Sequence, residues 1–296
     1  MAAELMRRWI AGVVLGLLLA GGTRLNAEGE NRDPKAVEVA RTMMQAMGGE
    51  DAWNAVHFVR FDFKINAGGT LKQDNAHLWD RKDGRYRIER TGKHEVDLFT
   101  IADYERDKSG SVYVNGKKLE GDEARKLLAD AYRSYINDTW WLCMPWKWMA
   151  TGANLKYVGT KPRGRETFDV VEITFGHVGL TPGDTYRAFV SQKSHLMTHW
   201  EYTLSPDSPV ALKKDSWDWE YGDFHGVKLA TNHIDPNKVT INMGDVRALD
   251  QVDDGFFTDP GAHAVGAEIL VLCGAGTERG HHEEGILGGC VQIDFG

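Results

Sequence analysis

The sequence predicts a mostly β chain of α+β type, laid out as an antiparallel meander of about eleven or twelve strands. Three observations predict it. Apolar and polar side chains alternate in run after run between Ala55 and Leu249. Short turn signals separate those runs. The runs do not alternate with helices, as a parallel sheet would require.

The chain opens with a segment of another kind. Arg7 and Arg8 precede an apolar run from Trp9 to Ala20, centred on Leu15, Leu17, Leu18 and Leu19; Leu25-Asn26-Ala27 follows. A basic start, an apolar run and a small residue at the cut are the parts of a cleavable export signal, here over residues 1–27. The apolar run is about 12 residues, and a membrane-spanning helix needs about 20. Leu19-Ala20-Gly21 resembles the start of a lipoprotein signal, but the next residue is Gly22 and not Cys. The expected product is periplasmic or extracellular, and it is not membrane-anchored after cleavage.

Arg7, Arg8 and Arg24 against Glu4 give the signal a charge of +2, so cleavage takes the formal charge from −8 to −10. An acidic product argues against nucleic acid or anionic lipid headgroups as partners. Three cysteines are present, Cys143, Cys273 and Cys290. Export permits disulfides, and Cys273 and Cys290 could pair. Cys143 lies among tryptophans and reads as a buried thiol.

Residues 28–33 read as a polar linker. Pro34 to Met47 reads as a helix capped by Asp33, with Val37, Ala40, Met44 and Met47 near helical spacing and Gly48-Gly49 as its stop. Val59, Phe61, Phe63 and Ile65 then alternate with Arg60, Asp62 and Lys64, which is a half-buried strand. The same alternation groups Val171, Ile173 and Phe175; Leu196, Trp200 and Tyr202; and Trp217, Trp219 and Tyr221. Turns are expected at Gly68-Gly69, Asp83-Gly84, Asn115-Gly116, Pro182-Gly183, Pro206-Asp207 and His225-Gly226. One helical insertion, Gly121 to Trp141, runs into the aromatic stretch Trp140 to Met149. A single domain over 34–258 and a Gly-rich tail over 259–296, poorly tied to it, complete the expected organisation.

Several motifs resemble a group of uncharacterised exported bacterial proteins. They are Met47-Gly48-Gly49 with Trp53, Leu78-Trp79-Asp80 with Gly84-Arg85-Tyr86-Arg87, the Trp/Met/Pro segment at 140–149, Phe168-Asp169-Val170, and Val178-Gly179 with Thr181-Pro182, Asp184 and Tyr186. At fold level that group looks like the lipoprotein-carrier (LolA/LolB-like) type. The resemblance implies a curved, unclosed antiparallel barrel around an apolar cavity, with helices on the concave face, and it implies binding of acyl chains.

The residues that would line such a cavity are Phe63, Trp79, Trp140, Trp141, Trp146, Trp148, Phe175, Trp200, Tyr202, Trp217 and Trp219. Most fall on one face of their strands, and the rest come from the aromatic stretch. Two readings compete: a lining for an apolar ligand, or a plain core filled by these rings. An acyl chain would need no polar site, since each methylene removed from water contributes about 0.8 kcal/mol.

Catalytic and metal signals are weak. His195 and His199 are four apart, but on a strand that spacing is about 13 Å, too far to share an ion. His281-His282-Glu283-Glu284 has ligand-type side chains without a rigid frame. Gly274-Ala275-Gly276 has too little chain after it for a dinucleotide unit. No serine sits in a nucleophile elbow. Asp80, Asp97, Asp103, Asp169 and Asp184 could converge, and Arg85 and Arg87 are expected on the solvent face or barrel rim. No cofactor or metal is expected. The leading expectation is non-catalytic binding of a lipid or lipoprotein acyl chain by a monomer. An envelope hydrolase acting on an apolar substrate and an interaction module with a filled core are the alternatives.

Overall fold

The alternating runs become the strands of one thirteen-stranded antiparallel sheet. The computed structural model describes residues 31–150, 152–176, 183–204 and 214–262. The export signal, the disulfide expected between Cys273 and Cys290, and the His281–Glu284 cluster lie outside the described residues.

In chain order the elements are α1 (Pro34–Ala46), α2 (Glu50–Ala55), β1 (Phe58–Ala67), β2 (Thr70–Asp80), β3 (Arg85–Arg90), β4 (Glu95–Thr100), α3 (Ile101–Asp107), β5 (Ser111–Val114) and β6 (Lys117–Lys118). They continue with α4 (Gly121–Cys143), β7 (Ala153–Arg163), β8 (Glu166–Phe175), β9 (Thr185–Ser191), β10 (Met197–Thr203), β11 (Lys214–Phe224), β12 (Val227–Ile234) and β13 (Thr240–Leu249). The spatial order is β6-β5-β4-β3-β2-β1-β13-β12-β11-β10-β9-β8-β7. First and last strands therefore pair at the centre, and two arms run outward to free ends at β6 and β7. The sheet does not close, and α4 is the connection from one end to the other.

The sequence reading undercounted because β5 and β6 have four and two residues, too few to display a period. Helices α2 and α3, at six and seven residues, escaped for the same reason. The turn signals fare better. Gly68 and Gly69 have φ of 59° and 72°, Asn115 and Gly116 of 51° and 73°, and His225 and Gly226 of 54° and 77°. Two successive positive φ values match the right-handed twist of a hairpin's strands.

Register shifts in the β1–β13, β1–β2, β7–β8, β9–β10 and β11–β12 pairs bend the sheet. One of them explains a detail. The shift between Met197 and His199 leaves Met197 in the same buried cluster as Trp200 and Tyr202.

On the concave face, α4 divides its apolar surface between two clusters. Leu128, Ala131, Tyr132, Tyr135 and Ile136 pack on Tyr86, Ile88, Phe99, Tyr104 and Val112. From Trp140 onward the helix enters the larger cluster, with α1 and strands of both arms. Pro145 lacks the N–H that an α-helix would need, and the chain tightens into a 3-10 turn, Met144–Lys147.

Two segments flanking the sheet pack against it. Residues 31–33, read as the end of a linker, form a parallel bridge beside β7: Asp33 N donates to Leu155 O at 2.8 Å, and Leu155 N to Asn31 O at 3.0 Å. They partly cover the exposed edge of β7. At the other end, Asp254–Phe257 folds as a 3-10 turn over the convex face, where Phe257 packs on Phe58 and Leu78. Arg87, expected at a solvent face or rim, is instead wholly buried beneath this segment. It bonds Glu89 and the carbonyls of Phe256, Asp259 and Pro260. Arg85 remains partly exposed, between Asp80 and Asp254.

Candidate functional site

All the residues expected to line a cavity gather in one place. Phe63, Trp140, Trp141, Trp146, Trp148, Phe175, Trp200, Tyr202, Trp217 and Trp219 belong to the main buried cluster, and Trp79 packs against it half-buried. Period-two alternation puts the strand residues on the concave face. The adjacent Trp140 and Trp141 diverge by about 100° around α4 and so address different parts of it.

Trp141 meets Trp200 edge-on at 4.8 Å between centroids, Trp217 at 5.1 Å and His233 at 5.1 Å. Trp140 meets Phe175 and Tyr186 at 5.5 Å each. Trp146 stacks on Trp53 at 5.2 Å. These separations and tilts are those favoured by the ring quadrupoles.

Six of the indole N–H groups fall into two sets. Trp146 Nε1 donates to Lys228 O at 3.0 Å and Trp148 Nε1 to Met144 Sδ at 2.6 Å. Those of Trp79, Trp140, Trp200 and Trp219 are buried with no acceptor among the described residues. All four belong to the predicted lining.

Polar groups also occupy the concave side, and the sequence reading did not foresee them. His77 of β2 is fully buried and stacks on Phe61 at 4.4 Å. Its Nε2 lies 3.0 Å from Asp138 Oδ2 of α4, and its Nδ1 lies 2.7 Å from the Tyr86 hydroxyl. Asn75 Nδ2 donates to the same Asp138 oxygen at 3.1 Å. Burial holds the His77 imidazole below the ordinary histidine value, against the opposing pull of Asp138. Burial also pushes the Tyr86 phenol well up.

An acid, an imidazole and a hydroxyl in line suggest catalysis. Yet His77 and Asp138 have no exposure and Tyr86 has 1%, so no side of the group is open to a substrate. It joins α4 to β2 and β3. A signal for it existed: Asp138 falls three residues after Tyr135 and four before Leu142, in the apolar stripe of the helix.

Nearby, Lys147 and Arg81 bring two cations to the aromatic cluster. Lys147 is 8% exposed, and its ammonium donates to Thr139 Oγ1 at 2.9 Å. Arg81 follows β2; its guanidinium lies 3.6 Å from the Trp53 ring centroid and donates to the carbonyls of Trp53 and Val56 at 2.5 and 2.7 Å. Cys143 is a buried free thiol beside them. Burial raises its pKa, while Lys147 and Arg81 pull the other way.

The five carboxylates singled out in the sequence do not converge. Asp97 is buried with Arg90 and Glu95 on the concave side of β4. Asp103 bonds Thr100 at the start of α3. Asp169 accepts from Tyr157 and Gln192. Asp80 takes Arg85 in two contacts of 2.7 Å. Asp184 is buried beside Tyr186.

His195 sits at a positive φ in the turn before β10, while His199 pairs with Asp218 at 2.8 Å. His57, Asp80 and Asp83 bring ligand-type atoms within 4.8 Å of one another. Asp80 is already committed there to Arg85 and to the amides of Lys82 and Asp83. No described helix is long and apolar enough to cross a membrane.

No family model matches the chain, and no curated protein matches it in sequence. Among solved structures it is similar to a DUF1329 family protein from Desulfovibrio piger, at 12% identity over 75% of this chain and 96% of that one, TM-score 0.44. It is similar to a domain assigned to outer membrane lipoprotein sorting in Vibrio parahaemolyticus, at 9% identity over 76% and 97%, TM-score 0.43. A LolA superfamily protein from Nitrosomonas europaea aligns at 11% identity over 73% and 96%, TM-score 0.36. The open sheet with helices on its concave side is the architecture that the sequence motifs imply. Likenesses with TM-scores below 0.5 carry no functional weight; the residues of the concave face do.

Proposed function

We propose that the chain binds a hydrophobic ligand non-catalytically on the concave face of its sheet, in the cell envelope after export. The ligand class is a lipid or a lipoprotein acyl chain. Cleavage after residue 27, a monomeric product and a single domain from 34 belong to this reading.

One observation carries it: the indole N–H groups of Trp79, Trp140, Trp200 and Trp219 are buried without an acceptor among the described residues. A core needing only ring volume is served as well by phenylalanine, and a buried Trp normally finds an acceptor. Indoles facing the concave side suit a ligand that brings both methylenes and carbonyl oxygens, as an ester or amide of an acyl chain does.

The filled-core reading has its own support in the close ring contacts of Trp141. Under ligand binding, the Trp140–Trp148 segment must shift to admit a chain. Native mass spectrometry and solvent extraction of the purified protein separate the two readings. Co-purifying lipid, and a change in tryptophan fluorescence on titration with lipid, are expected. A bare mass with no spectral response to any lipid would leave the filled core as the function of these rings.

A further inference from the structure

Lys147, buried, and Arg81, half-buried, bring two cations into the aromatic cluster with no carboxylate paired to either among the described residues. Lys147 Nζ has one hydrogen bond among the described residues, to a hydroxyl that itself donates to Tyr135 O. It lies 6.0 Å from the ring centroids of both Trp79 and Trp140. Arg81 spends one amino nitrogen on two carbonyls, and its Nε is buried with no acceptor among the described residues. Its guanidinium carbon lies 5.6 Å from the Trp79 centroid. Trp79 thus lies within 6.0 Å of both charges, and neither its N–H nor that of Trp140 has an acceptor among the described residues.

Such an arrangement is costly by itself. A buried charge is ordinarily paired, because desolvation is expensive and like charges repel. Burial holds the Lys147 ammonium below the ordinary lysine value, and Arg81 adds to the depression. Elsewhere the chain pairs its buried cations: Arg87 has Glu89, and Arg90 has Glu95. What the surroundings of Trp79 and Trp140 hold instead is donors: an ammonium, a guanidinium N–H and two indole N–H groups. Trp79, half-exposed, gives the site an edge on solvent.

We propose that Lys147 and Arg81 receive the oxyanion head of a single-chain amphiphile, a carboxylate or phosphate monoester, whose acyl chain lies on the aromatic face. The inference rests on the ligand-binding reading above and adds the charge of the head. An oxyanion accepts several hydrogen bonds at once and offsets both cations. The apolar tail supplies affinity, and the head fixes which end enters.

The test compares palmitate, hexadecyl phosphate and methyl palmitate by fluorescence titration at pH 8, with acetate and inorganic phosphate as headgroups alone. Palmitate, hexadecyl phosphate or both should bind the wild-type protein at least about tenfold tighter than the ester, the size of a charged hydrogen bond. Which of the two is preferred identifies the head. Lys147→Met should erase that preference while keeping binding of the ester, and Lys147→Arg should restore part of it. A thermal melt establishes that each variant folds; the acid-against-ester comparison in the wild type needs no variant.

Equal affinity for acids and ester would overturn the head receptor and leave the apolar reading standing. Binding of none of the amphiphiles would remove both. Competition by acetate or phosphate alone, as strong as by the amphiphiles, would make the site a receptor for free anions and overturn the amphiphile.

Discussion

His77 Nε2 lies 3.0 Å from Asp138 Oδ2, and this contact ties the middle of the sheet to the one long helix that crosses its concave face. Asp138 also accepts from Asn75 and Asn137. Replacing it by alanine leaves His77 and Asn75 buried without that acceptor. Unpaired buried groups cost about 1–3 kcal/mol each. Asp138→Ala should therefore lower unfolding stability by about 3 kcal/mol, read from urea denaturation. A loss under about 0.5 kcal/mol would mean that the network contributes nothing to holding α4.

The motif Met47-Gly48-Gly49 has a steric explanation. Gly48 has φ of 120°, and a Cβ there would overlap the carbonyl oxygen of Gly226 and lie 3.3 Å from Val227 Cα. The same junction is closed by Lys228 N donating to Met47 O at 2.8 Å. Gly48→Ala should destabilise by about 3 kcal/mol, adding backbone strain to a main-chain clash. Gly68 also has positive φ, but nothing lies within 4 Å of its position. Gly68→Asn should cost well under about 1 kcal/mol, since Asn tolerates that conformation. Equal losses in paired thermal melts would contradict the steric account.

Sequence periodicity made the strand faces legible, because alternation fixes which side of a strand is buried whatever its neighbours are. The gathering of Phe63, Trp200 and Trp219 on one face followed from it. What periodicity could not display is pairing across elements. The 3-10 turn places Lys147 near the same Trp79 ring that Arg81 approaches from the end of β2, which no periodicity displays. Arg87 read as a solvent residue because its cover, residues 254–260, lies at the far end of the domain sequence. Asp138 was legible as a carboxyl in an apolar stripe, and its partner His77 was legible as a concave-face residue of β2. Only the register between helix and sheet joins them.

Three buried histidines set an acid limit on stability. Burial lowers His77, His199 and His233, and His233 falls to about 3. Below the unfolded value of about 6.5, the unfolded chain takes up protons that the folded one refuses, so stability falls as pH falls. For His233 the loss accrues from about pH 6.5 down to about 3. It amounts to about 2 kcal/mol between pH 6.5 and 5. His233→Leu should remove that share, so in urea melts the variant should gain on the wild type as the pH is lowered. A constant difference across the range would mean that His233 titrates alike in both states.

Asp97 works in the opposite sense. Burial is the largest cause, Glu95 beside it adds to the rise, Arg90 opposes, and its carboxyl is pushed up to about 8. Between about pH 4 and 8 the folded state keeps a proton that the unfolded state gives up, so this group makes stability fall as pH rises. Asp97→Asn should gain on the wild type as pH is raised from 5 to 8. A variant that lost ground over that interval would show that Asp97 is held as a carboxylate by Arg90.

Trp79 separates a structural ring from a binding one. It is half-buried, meets Tyr135 edge-on at 6.0 Å, and its N–H has no acceptor among the described residues. Phenylalanine keeps most of the ring contact and discards the N–H. If the ring only fills space, Trp79→Phe costs about 1 kcal/mol of stability from lost area and alters nothing else. If the N–H reads a ligand oxygen, the same variant should weaken binding of an acyl ester several-fold, the size of one neutral hydrogen bond. Titration of methyl palmitate into both proteins measures this, and Trp146→Phe serves as the contrast. The Trp146 N–H is already taken by Lys228 O, so that change should lower stability and leave the affinity of the folded protein close to wild type. Equal loss of affinity in both variants would assign the effect to packing and take the unpartnered indoles out of the argument for a ligand.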